Sequence, residues 1–257
     1  MTNILLVGAL GRLGSAISEY ISSLDKYKII AGLDININKK NNNKYNIYKN
    51  IIEIIDQNIK PDVVIDFSAP WALESTLEYC LKTISPLVLG TTGLDEKQKE
   101  KILIASETIP IFWSANMSFG IKILENICNN IVEISDNIFD IDIIEKHHNK
   151  KIDSPSGTAK LIARSLKSKS DMLYNTNKII FNNNNLELNK SRDKDEIRVY
   201  SIRAGNITGE HTVMFSTEDE ILTVSHTCSS KKVFARGALR AVDFIINKKT
   251  GLYNNIF

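Results

Sequence analysis

The first 113 residues alternate short apolar runs with stretches of helical periodicity, and few folds accommodate that alternation. Residues 4–7 are apolar and end in a glycine turn, after which apolar residues recur at helical spacing over 13–24: strand, turn, helix. A second apolar run at 29–33 closes on Asp34, helical periodicity follows at 48–55, and 63–67 reads as a third buried strand. Helices over 71–82 and 95–106 then alternate with strands at 87–89 and 109–112. Strands without polar alternation, separated by helices, predict a doubly wound parallel sheet of Rossmann-like α/β class.

The pattern changes after a helix at 119–134. Residues 139–144 alternate Asp with apolar side chains, as a strand with one polar face does, and 197–204, 211–215 and 221–227 read as successive antiparallel strands. A helix is expected over 158–168, loops over 39–44, 182–185 and more broadly 182–194, and a closing helix over 233–247. The predicted organisation is a dinucleotide-binding domain (1–117), an inserted α+β domain (118–227) for substrate and oligomerisation, and a C-terminal segment (228–257) returning to the first domain.

The turn itself is Gly8-Ala9-Leu10-Gly11-Arg12-Leu13-Gly14, a spacing variant of the dinucleotide fingerprint. Its glycines permit close approach of a pyrophosphate to backbone at a helix N-terminus, and Asp34, 20 residues after Gly14, ends the second strand where a carboxylate can hold ribose hydroxyls. A structural turn with an incidental Asp is the competing interpretation. Gly90-Thr91-Thr92-Gly93 and Ser114-Ala115-Asn116-Met117 follow the fourth and fifth expected strands at the same ligand-binding edge, where either a cofactor or a plain loop would fit.

Two of the four histidines lie in one stretch, Glu145-Lys146-His147-His148-Asn149-Lys150-Lys151-Ile152-Asp153-Ser154-Pro155-Ser156-Gly157-Thr158-Ala159. Ser156, Gly157 and Thr158 can offer amides and hydroxyls to a carboxylate at a helix start, Lys151 a positive charge, and His147 a proton near neutral pH. A solvated turn is the bland alternative. A metal site is not expected, because no Cys or carboxylate cluster completes a shell. Cys80, Cys128 and Cys228 lie far apart, which suggests neither disulfides nor zinc, but reduced and buried thiols.

This ordered string resembles the signature of the 4-hydroxy-tetrahydrodipicolinate reductases. The likeness extends to the Gly8 turn, Asp66-Phe67-Ser68, Gly90 to Gly93, Asn116 with Gly120, Arg203-Ala204-Gly205, Gly209-Glu210-His211 and Ser229-Ser230. The resemblance implies a domain binding NADH or NADPH, a substrate domain whose sheets join in a homotetramer, and closure of the two around a cyclic dicarboxylate. It implies His147 as proton donor with Lys151 beside it, and His148, Lys151, Gly157 and Thr158 on the substrate's carboxylates. Gly8 to Leu13, Asp34, Gly90 to Thr92 and Ser114 to Met117 match its cofactor site. Lys146, Asn149 and Lys150 depart from the family's usual residues, and Lys231 stands where Arg is common, exchanging a bidentate clamp on the substrate for a point charge.

Asp34 favours a ribose with free hydroxyls, and Ile35 to Asn38 supply no cation, so NADH is expected over NADPH, with Lys39 and Lys40 recovering part of the affinity for the extra phosphate. A net charge of +2 with scattered lysines gives no reason to expect a nucleic-acid partner, and the absence of a long apolar run points away from a membrane and toward the cytoplasm. Two further readings compete with a reductase: a nucleotide sensor without catalysis, and a different dehydrogenase using a Cys nucleophile.

Overall fold

The computed structural model describes residues 1–37, 44–174, 178–181, 192–193 and 196–255. In chain order the elements are β1 (Thr2–Val7), α1 (Arg12–Ile21), β2 (Tyr27–Leu33), β3 (Ile47–Tyr48), α2 (Ile51–Asp56), β4 (Val63–Asp66), α3 (Leu73–Thr83), β5 (Leu87–Leu89), α4 (Glu96–Ser106) and β6 (Pro110–Trp113). Then come α5 (Phe119–Ile134), β7 (Asp140–His147), α6 (Gly157–Tyr174), β8 (Lys178–Phe181), β9 (Glu196–Arg203), β10 (Glu210–Ser216), β11 (Ile221–Thr227), α7 (Lys232–Ile245) and β12 (Gly251–Tyr253). They form two compact units: Met1–Met117 with Lys231–Phe257, and Ser118–Ser230.

In the first unit seven parallel strands lie in the order β12-β6-β5-β4-β1-β2-β3. Alternation along β1 explains why both faces are covered: Ile4 and Leu6 pack with Ile17, Ile21, Ala238 and Val242 of α1 and α7, whereas Leu5 and Val7 pack with Leu73, Leu77 and Ile102 of α3 and α4. The chain leaves β1 toward β2 on one side and β4 toward β5 on the other. The carboxyl ends of β1 and β4 therefore flank the switch point, where such sheets open a crevice.

Local chemistry sets most boundaries. Asp95 closes a capping box with Gln98 at the start of α4, and Ser118 accepts from the Ile121 N–H at the start of α5. Two details depart from the periodicity. Residues 47–48 extend the sheet as β3 before α2 begins behind the Asn50 cap, and Pro70–Ala72 is a tight 3-10 turn leading into α3.

In the second unit the order is β11-β10-β7-β9-β8. Here the expected run of neighbouring antiparallel strands needs correction. β10 pairs antiparallel with β7 and β11, but β9 pairs in parallel with β7 and β8, so β7 is inserted between β9 and β10. α6 is a helical crossover that returns the chain to the end of the sheet from which β7 started, so that β8 runs in the same direction as β7. Helices α5 and α6 cover one face through Leu124, Cys128, Ile162 and Leu166 against Ile141, Ile143, Val199 and Phe215. Of the expected loops at 39–44 and 182–194, all but residues 44, 192 and 193 lie outside the described residues.

Candidate active site

In the first unit the ligand edge is made chiefly of main chain. Gly8 adopts φ +77°, and a Cβ there would stand 2.8 Å from the Phe67 carbonyl oxygen. One on Gly14 would stand 2.1 Å from the Gly8 oxygen, so both positions require glycine. The Gly8 N–H donates to Leu33 O (2.8 Å) and the Gly11 N–H to Gly8 O (3.0 Å), which folds the turn against β2. Gly11 has no side chain to cap α1, so first-turn N–H groups are left for water or an anion. Ala9 and Leu10 are buried and contribute backbone, while Arg12 is exposed and Leu13 half-buried.

Asp34 stands beside this turn. Its Oδ2 accepts the Leu10 N–H and its Oδ1 the Asn36 N–H, each at 2.9 Å, which leaves lone pairs on both oxygens for hydroxyls. A cavity of about 490 Å³ opens there, lined among others by Gly8, Gly11, Asp34, Lys49, Phe67 and Trp71. A glycine cradle that any Cβ would fill, a carboxylate and an apolar wall suit an adenine dinucleotide. Asn38, Lys39 and Lys40 lie outside the described residues; among the described residues the cation on this cavity's wall is Lys49, which sequence spacing from Asp34 does not reveal.

Asp66 is wholly buried at the end of β4. Its Oδ1 accepts from Ser68 N (2.8 Å), Ser68 Oγ (2.6 Å) and Thr91 Oγ1 (3.0 Å), and burial pushes its pKa up. Thr91 is thus spent on tying the loop after β5 to the loop after β4, whereas Thr92 is exposed. Gly90 is needed because a Cβ would stand 2.3 Å from the Phe67 ring. Ser114 holds the turn after β6 by bonding Asn116 O (2.8 Å), and Ala115 is exposed. Met117, expected at the cofactor, turns its side chain into the core, and its carbonyl would lie 1.6 Å from a Cβ on Gly237 of α7.

In the second unit the functional groups are side chains on one face of the sheet. Glu145 and His147 lie two residues apart on β7; His147 is in register with Arg203 on β9, and Glu145 with His211 on β10. Glu145 is fully buried: Arg203 donates to it through Nη2 (2.7 Å) and Nη1 (2.9 Å), the Ser156 N–H at 3.0 Å, and His147 Nδ1 lies 2.5 Å from Oε2. Burial alone would raise the Glu145 pKa, yet hydrogen bonds, those from His147 and Arg203 foremost, outweigh it and hold the group far below the usual carboxylate range. The buried His211 stacks edge-on with His147 at 5.3 Å, and burial first, then His147, lowers it to about 3.

The remaining expected residues divide. Lys151 donates to both Asp153 carboxylate oxygens (2.7 and 2.8 Å), a half-exposed pair that a substrate carboxylate can replace. Asp153 feels burial upward, but the Lys151 hydrogen bond brings its pKa below the ordinary value. Gly157 opens α6 with nothing within 4 Å of a Cβ, and Thr158 follows it. His148 keeps its Nδ1 buried without a hydrogen-bond partner. Ser156 bonds inward: its N–H serves Glu145 and its hydroxyl caps Ala159 N (3.1 Å) beside His211 Nε2 (3.2 Å). Lys231 belongs to the first unit, exposed at the start of α7.

Glu145, Arg203 and His211 were not given roles by the sequence. Period-two spacing from His147 could have found Glu145; strand register, invisible in sequence, brings in the other two. Among the described residues no group of three or more His, Cys, Asp or Glu is placed to hold a metal ion. Burial raises the thiols of Cys80 and Cys128, the latter to about 12, so neither is a thiolate nucleophile.

Models of two parts of a known family match the chain: dihydrodipicolinate reductase, N-terminus, over residues 2–117, and dihydrodipicolinate reductase, C-terminus, over 120–256. The chain is 41% identical over 255 residues to the 4-hydroxy-tetrahydrodipicolinate reductase of Clostridium novyi (strain NT), covering 98% of this chain and 96% of that one. It is 38% identical over 262 residues to the enzyme of the same name from Buchnera aphidicola subsp. Cinara cedri, covering 98% and 95%. Its fold superposes on the dipicolinate-bound dihydrodipicolinate reductase from Paenisporosarcina sp. TG-14 with TM-score 0.79 over the whole of both chains, at 23% identity.

Proposed function

This chain belongs to the dihydrodipicolinate reductase family, and we propose that it reduces 4-hydroxy-tetrahydrodipicolinate to tetrahydrodipicolinate with a nicotinamide cofactor, in the diaminopimelate route to lysine. The observation that carries the chemistry is the imidazole of His147, fixed by a buried carboxylate at the end of β7, with Lys151 and the start of α6 following it in the chain. Bound along the Gly8 turn and the Asp34 cavity, the cofactor supplies the hydride. His147 delivers a proton to the carbon beside the one reduced; Lys151 and His148, with the N–H groups of Gly157 and Thr158, hold the two substrate carboxylates. Lys151 does so by releasing Asp153 in exchange for a second anion.

NADH is preferred over NADPH. Asp34 accepts from ribose hydroxyls and repels a phosphate in their place, while Lys49 on the same cavity wall moderates that repulsion. The protein assembles as a homotetramer through the second sheet. Support comes from the sheet face opposite α5 and α6, where Ile144 and Tyr200 pair side by side and Met214 and the exposed Ile202 lie beside them. No described helix is long and apolar enough to cross a membrane. The cytoplasm, where nicotinamide nucleotides circulate and the free thiols of Cys80, Cys128 and Cys228 stay reduced, is the compartment we assign.

The test supplies substrate freshly generated by the preceding synthase and follows nicotinamide absorbance. Substrate-dependent loss is expected; cofactor binding with no consumption would make the protein a sensor.

A further inference from the structure

We propose that Arg203 sets how readily His147 gives up its proton, by sharing with it the single carboxylate of Glu145. The proposal rests on the reading of His147 as proton donor and assigns Glu145 and Arg203 as positioning residues. The four donors on Glu145 are divided evenly: Oε1 takes Arg203 Nη2 and the Ser156 N–H, while Oε2 takes Arg203 Nη1 and His147 Nδ1. An ionised carboxylate accepts and never donates, so Nδ1 keeps its proton in every state of the ring. The exchangeable proton is therefore on Nε2. That atom lies beside Gly209, where a Cβ would stand 3.2 Å from it.

A buried carboxylate alone beside an imidazolium would hold that cation tightly and make a sluggish acid. Arg203 cancels most of that pull, because its fork neutralises the same two oxygens and its charge is permanent. The remaining titratable or charged neighbours do not supply this control. His211, on β10, is buried and lowered to about 3; His226, on β11, is lowered by burial; Lys151 and Asp153 pair with each other; Cys228 lies beyond Gly209. Arg203 is held to its task by two backbone carbonyls, Ile202 O at 2.9 Å and Asp153 O at 2.7 Å, the latter linking it to the Lys151 loop.

Opposite displacements distinguish this from a merely structural network. With both substrates saturating, the rate falls on the alkaline side as the acid loses its proton. Glu145→Gln, which removes the anion, should move that fall to lower pH by about one unit, and Arg203→Met, which leaves the anion uncompensated, to higher pH by about as much. Arg203→Met keeps a lone buried carboxylate and can fold poorly. The double variant Glu145→Gln/Arg203→Met has no buried charge, and its fall should return to within a fraction of a unit of the wild type. Single variants that lose rate with no displacement, or move the same way, would overturn the proposal. His147→Asn separates the layers: an inactive His147→Asn with unmoved profiles elsewhere overturns this inference alone, whereas wild-type turnover in His147→Asn removes the proton donor and the inference with it.

Discussion

The first unit presents its ligand edge mainly as backbone, the second as side chains. At the Gly8 turn the shape is set by what is missing: no Cβ fits on Gly8, Gly14 or Gly90, and the chain can approach a bound group closely. Around Glu145 everything depends on two side chains, Arg203 and His147, and the Ser156 N–H, packed with no exposure of the carboxylate. A backbone site tolerates charge changes and fails on added volume. A site built on charges tolerates modest volume changes and fails when one partner is removed, because the survivor is left buried and uncompensated.

That contrast predicts where each unit breaks. The largest effect is expected for Gly14→Ala, whose methyl would overlap the Gly8 carbonyl oxygen at 2.1 Å. Displacing the turn should weaken NADH binding on the order of a hundredfold, with substrate-analogue binding nearly unchanged; fluorescence titration reads both. Next comes Lys151→Ala, which removes the partner of the exposed Asp153 and, on the proposed function, the cation of a substrate carboxylate. We expect a rise in substrate KM of roughly tenfold or more together with a fall in kcat, and an unchanged NADH Kd.

A smaller effect is one of pH. An ordinary histidine, near 6.5 when unfolded, takes up a proton below that value, but buried His211 does so only near 3. Between those values the unfolded chain binds more protons, so stability rises with pH and is lost as pH falls, by roughly 1.4 kcal/mol per unit. The thermal midpoint should drop by several degrees from pH 7 to pH 5, and clearly less in His211→Gln. His226, also lowered, adds in the same direction. The smallest effect concerns Lys49→Ala, which should reduce kcat/KM with NADPH a few-fold, leave NADH within about twofold, and lose its effect in high salt.

Legibility followed the same division. The Gly8 turn, Asp34 and the parallel sheet were readable because each rests on local spacing and period. The stretch from Glu145 to Ala159 stood out by its density of polar groups, but sequence alone did not reveal that the Ser156 N–H and Oγ are bonded inward. Arg203 was placed by the β7–β9 pairing, 58 residues from Glu145, and no local pattern encodes that register. Lys49 reached the Asp34 cavity because β3 returns the chain along β2, and a strand of two residues leaves no periodic trace. The strands β8 and β12 were not read from the sequence either.

The division of labour between the units is tested most directly by one variant read two ways. His147→Gln keeps the first unit intact, so NADH should bind with the wild-type Kd while turnover with freshly generated substrate falls on the order of a hundredfold or more. Wild-type turnover, or a loss of NADH binding that accounts for the whole defect, would contradict the assignment of proton delivery to the second unit.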